Sequence, residues 1–91
     1  MNIEEIRGPA AEDDVMEATV LQRLLCLHPT LVTPDELLRE LVGEPDFSQS
    51  DAIERAVTAL LGAGLLHRAE GLLVPSRAAL RFDELLSRRS G

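Results

Sequence analysis

Between Leu60 and Ser76 the chain has little freedom in how it folds. Leu60-Leu61-Gly62-Ala63-Gly64 closes a helical stretch with two glycines. Two short apolar runs follow, Leu65-Leu66-His67-Arg68 and Leu72-Leu73-Val74-Pro75, placed around Ala69-Glu70-Gly71. Two apolar runs joined by a short connection containing Gly read as a hairpin. Leucine is a mediocre strand former, so the length of the connection carries this reading rather than propensity. Ser76 stands where its hydroxyl caps a further helix, expected to run through Leu86 with Ala79, Leu80, Phe82, Leu85 and Leu86 as its apolar residues.

Three helical segments are expected upstream. From about Asp14 to His28, Met16, Val20, Leu24 and Leu27 recur on one stripe, widened by Leu21 and Leu25, with Thr19, Gln22 and Cys26 on the other side. Asp13 or Asp14 is placed to cap this segment, and Pro29 ends it. Thr33-Pro34-Asp35-Glu36 has the spacing of a capping box with proline at the first helical position. Leu37, Leu38, Leu41 and Val42 then face inward, Gly43 stops the helix, and Glu44-Pro45-Asp46 breaks the chain. The third segment begins near Ser48 or Ser50, either of which can cap. It turns Ile53, Val57, Leu60 and Leu61 to one face and Asp51, Arg55 and Thr58 to the opposite one, with Glu54 beside them.

Ninety-one residues suffice for one modest core and no more. Several function classes drop out on composition. Phe47 and Phe82 are the only aromatics, too few for a stacking platform on single-stranded nucleic acid. The single cysteine, Cys26, excludes an internal disulfide and a multi-cysteine zinc site. Cys26 and His28 are two apart, a spacing that does not bring two ligands to one helix face, so no metal and no cofactor are expected. The longest run of apolar residues or glycine, Ala59 to Leu66, is 8 residues and is far too short for a bilayer. Acids at positions 4, 5, 12, 13 and 14 stand where a secretory signal needs positive charge, so a cytoplasmic location is expected. Asp35-Glu36 and Asp13-Asp14 are accounted for by caps and the helix dipole. No acid, base and oxyanion donor assemble, and an enzyme is not expected.

The charge is uneven. The chain carries a net −7, all nine cations are arginine, and five of them lie in residues 65–91 against three acids. Residues 1–13 are expected to be a flexible acidic tail, 14–87 the folded domain, and 88–91 a frayed basic end.

The order helix, helix, helix, hairpin, helix resembles a winged helix-turn-helix domain: mostly α, with a three-helix core, a small β-hairpin as the wing, and a C-terminal helix. The stretches that carry the resemblance are "LVTPDELLREL", similar to the second helix after its Thr-Pro cap, and "SDAIERAVTALLGAGLLHRAEGLLVPSRAAL", similar to the third helix, its glycine exit and the wing. The resemblance implies a DNA-binding regulator whose third helix reads the major groove while the wing tip approaches the backbone or the minor groove. On these positions the DNA-contacting residues would be Ser48, Gln49, Arg55, Thr58, His67, Arg68 and Arg77, and the partner duplex DNA. The alternative is an acidic winged helix that binds a protein with a basic surface, because Asp51 and Glu54 face phosphates with like charge. The surplus of leucines on the first or last helix allows a homodimer seam, and no membrane partner is expected. The wing is expected to fold back on Leu66 and Leu72.

Overall fold

The computed structural model describes residues 9–43 and 47–90. These form α1 (Pro9–Leu27), α2 (Pro34–Val42), α3 (Phe47–Gly62), β1 (Leu66–Ala69), β2 (Leu72–Pro75) and α4 (Arg77–Ser90). The protein is mostly helical with one two-stranded antiparallel hairpin, as the sequence reads. No helix among the described residues is long and apolar enough to cross a membrane.

Helix limits differ from the expected ones in three places. α1 starts at Pro9, ahead of Asp14, so Asp13 and Asp14 lie inside the helix instead of capping it. A proline followed by two alanines is a good helix start, and apolar periodicity alone does not register it. α3 starts at Phe47, so Ser48 and Ser50 lie in its first turn rather than ahead of it. α4 runs on to Ser90, so residues 88–90 continue the helix. Residues 1–8 of the expected tail, the Glu44-Pro45-Asp46 break and Gly91 lie outside the described residues.

Local chemistry explains the other ends. The Thr33 hydroxyl accepts from the Glu36 N–H at 3.2 Å, and the Glu36 carboxylate accepts from the Thr33 N–H at 3.0 Å, a complete capping box. These hydrogen bonds stabilise the ionised form and hold the Glu36 carboxyl below its ordinary range. α3 leaves through Gly64 at φ 79°, a conformation that favours glycine. The Leu65 N–H bonds the Leu60 carbonyl at 3.0 Å and the Gly64 N–H bonds the Leu61 carbonyl at 3.2 Å, the paired bonds of a Schellman cap. Ser76 caps α4 as expected: it is buried, and its hydroxyl accepts from the Ala79 N–H at 3.1 Å.

In the hairpin Leu66 pairs with Pro75 and Ala69 with Leu72, which leaves Glu70-Gly71 as a two-residue turn. Both turn residues have positive φ, 54° and 81°, the sense that matches strand twist in a tight hairpin. The outer edge of β2 is engaged as well. The Leu73 N–H donates to the Val32 carbonyl at 2.8 Å, an isolated antiparallel bridge to the segment between α1 and α2.

The core is one cluster: Val20 and Leu24 of α1, Val32, Leu37 of α2, Ile53, Ala56, Val57 and Leu60 of α3, and Leu66 and Leu73 of the hairpin. The α3 members recur at helical spacing, so a single stripe meets α1 and the wing. Leu73, rather than Leu72, anchors the wing beside Leu66. It is fully buried, while Leu72 is only half-buried. Because side chains alternate along a strand, the register that turns Leu73 inward turns Leu72 away.

Candidate interaction surface of the third helix

The stripe that buries Ile53, Ala56, Val57 and Leu60 leaves Asp51, Glu54, Arg55 and Thr58 on the exposed side of α3. Arg55 is the long donor on which a groove-reading helix would depend. It is not free to project. Its Nη1 pairs with the Asp51 carboxylate one turn back, and its Nη2 pairs with Asp13 of α1 at 3.3 Å. The second contact is possible because α1 begins early enough to carry Asp13 alongside α3.

All these groups are exposed, Arg55 by 54%, so each pair contributes no more than about 1 kcal/mol. The energy of breaking the pairs is therefore a minor obstacle to a new contact. The carboxylates themselves are the larger one. If Arg55 swings away, Asp13 and Asp51 lose their counter-charge and remain on the surface beside Glu54. A phosphate backbone approaching there meets like charge where affinity requires cations. A cationic side chain meets attraction.

Between α2, α3 and β1 lies a groove of about 320 Å³. Leu38, Ile53 and Val57 line it with apolar surface, and Asp35, Glu54 and Arg68 bring charge to it. This is the lower end of the size of small-molecule sites. The groove suits one or two side chains of a docking surface better than an enclosed ligand.

Of the seven residues expected to contact DNA, Arg55 and Thr58 line one shallow depression on the outer face of α3 with Asp51 and Glu54. Ser48 and Gln49 are exposed in the first turn of α3, and Thr58 is exposed two turns on, beside Arg55. His67 and Arg68 are both exposed, yet as neighbours on β1 they point to opposite faces of the hairpin. Arg68 shares its face with Leu66 and lines the groove with two acids, while His67 points away. Arg77 is exposed at the first position of α4.

Sequence reasoning missed Asp13, Asp35 and Leu38 as members of this surface. Asp35 had a sufficient local explanation in its helix cap. Asp13 is 42 positions from Arg55, and no local pattern signals that pairing. Among the described residues, no group of three or more His, Cys, Asp or Glu side chains is placed to hold a metal ion. No protein family, curated protein or solved structure matches the chain.

Proposed function

We propose that this chain is an acidic winged helix that acts as a protein-interaction module, with the α2–α3 groove and the outer face of α3 receiving a partner of basic, partly apolar surface. The fold reading is supported by the element order and by the isolated Val32–Leu73 bridge, which ties the connection between α1 and α2 to the wing. The functional reading rests on one observation: Arg55, the only long cation on the outer face of α3, is engaged by Asp51 and Asp13. A partner arginine or lysine can lay its aliphatic stem on Leu38 and bring its charge to Asp35 and Glu54. The exposed thiol of Cys26 is in keeping with a cytoplasmic location.

Duplex DNA is the second reading. It is favoured by the exposure of Ser48, Thr58 and Arg55 along one side of a helix 16 residues long. Salt-series fluorescence anisotropy separates the two. The probes are a mixed-sequence duplex and an amphipathic peptide with arginine and leucine at helical spacing. The peptide is expected to bind at low salt, and Asp51→Arg with Glu54→Arg to abolish that binding. The duplex is expected not to bind. Salt-dependent duplex binding that disappears in Arg55→Ala with Arg68→Ala would return the DNA reading to first place.

A further inference from the structure

α4 is amphipathic on two sides. Ala79 is buried and Leu80 half-buried against the body. On another side Ala78, Phe82 and Leu85 recur at i, i+4 and i+7, an exposed stripe about 10 Å long. Phe82 is 62% exposed and Leu85 43%. Arg77, Arg81 and Arg88 follow one edge of this stripe, and all three are exposed. Glu84 shares the edge and accepts from Arg81 at 3.2 Å and from Arg88 at 2.7 Å. Arg77 has no ion pair among the described residues. Three guanidinium groups against one carboxylate leave the edge with a net charge of +2. Asp83 is half-buried on the far side of the helix and does not offset it.

We propose that this face docks an acidic amphipathic helix of a different protein, its apolar side chains packed on Ala78, Phe82 and Leu85 and its carboxylates level with Arg77, Arg81 and Arg88. Charge selects this occupant. The edge is basic on a chain whose net charge is −7. An extended polyanion, whether a duplex or an anionic bilayer, meets the acidic body as well as the edge and is repelled by it. A single partner helix covers only α4 and meets only its excess of cations. A second copy laid on the same stripe brings arginines against arginines. Shape agrees with charge. The stripe is one helix ridge wide, and Ala78 leaves room beside Phe82 for one large side chain of the partner. Each guanidinium has five donors, so a partner carboxylate joins Arg81 or Arg88 without displacing Glu84. Glu84 already holds both arginines along the edge, which lessens the freedom lost on binding. This face lies on a different helix from the acidic α3 surface and takes a partner of opposite charge, so neither site depends on the other.

A helix of 14 residues is about 21 Å long, and covering one side of it buries less than the ~1,200 Å² of a stable interface. The association is therefore weak, with a dissociation constant on the order of 10–100 µM. Fluorescence anisotropy tests it, with the full chain titrated into a labelled peptide. The probe is a helical peptide with leucines on one face and glutamates along one flank of them. The control has the same composition, shuffled so that its leucines no longer share a face. The patterned peptide is expected to bind, and the shuffled one to bind at least about tenfold more weakly. Phe82→Glu changes a residue already in water, so the fold is kept, and the dissociation constant is expected to rise roughly thirtyfold. Arg77→Glu with Arg81→Glu also alters only exposed side chains, and an acid at position 77 suits the start of a helix. That pair should weaken binding roughly tenfold. No binding of the patterned peptide at 1 mM overturns the proposal. Equal binding of the shuffled peptide, or binding that Phe82→Glu leaves unchanged, also overturns it. Cosedimentation with phosphatidylserine vesicles, or self-association lost in Phe82→Glu, without peptide binding would assign the face to a membrane or to a second copy instead, and overturns it as well.

Discussion

Glu70 holds φ at 54° in the hairpin turn, a region that costs a residue with a Cβ about 1 kcal/mol and that asparagine tolerates better. Glu70→Asn is expected to stabilise the protein by about 0.5–1 kcal/mol, and thermal unfolding followed by circular dichroism should show a transition several degrees higher. Unchanged or lower stability would mean that the turn does not need this backbone sense. Ser76 is the opposite case, a residue already suited to its place. Its buried hydroxyl satisfies the first turn of α4, and Ser76→Ala should cost about 1–2 kcal/mol. Glu36 carries a pH signature. Its carboxyl is held below its ordinary range by the Thr33 hydrogen bonds, so the folded protein binds that proton less readily than the unfolded chain. The stabilisation is complete above the unfolded value and is lost as pH falls through the lower folded value. Glu36→Gln keeps the hydrogen bond in neutral form, and its stability should be flatter than the parent's over that acidic window. Parallel curves for the two proteins would contradict the capping box as the cause.

At the scale of elements, ends were more legible than faces. Thr33-Pro34 starts α2, Gly64 ends α3 and Ser76 starts α4 where local spacing places them, because a cap is satisfied within a few residues of itself. The start of α1 was misplaced because apolar spacing begins only at Met16, while the backbone is helical back to Pro9 through a stretch whose sequence carries no apolar stripe. The Schellman exit gives a direct test. Gly64→Ala has open space around the added Cβ, so any cost comes from φ alone, about 1 kcal/mol. Urea unfolding should show it as a lower midpoint with an unchanged slope. The wing illustrates how a strand separates neighbours in sequence. His67 and Arg68 look like one basic patch when read along the chain, and the pleat sends them to opposite faces.

For the whole molecule, the core is small enough for single residues to matter. Leu73 is fully buried and connects the wing to α1 while its backbone holds Val32. Leu73→Ala should cost about 2–5 kcal/mol, a large part of the roughly 5–15 kcal/mol available to a domain. Substantial unfolding at 37 °C is the expected outcome, visible as lost helical signal. The electrostatics are likewise a property of the assembled chain. Sequence placed the acids mainly in the body and a cationic excess in residues 65–91, but it could not say which charges meet. Folding brings Asp13 onto Arg55 and places Arg68 in a groove with Asp35 and Glu54. It leaves Phe82 and Leu85 in water beside an Arg–Glu–Arg edge.

The sequence by itself determined the helical content, the hairpin, the caps of α2 and α4 and most of the core stripe, because each depends on periods and spacings of a few residues. Only the tertiary structure decided which carboxylates engage Arg55, which wing residue enters the groove and which stripe of α4 stays exposed. Those outcomes depend on side chains tens of positions apart, and packing alone sets their distances.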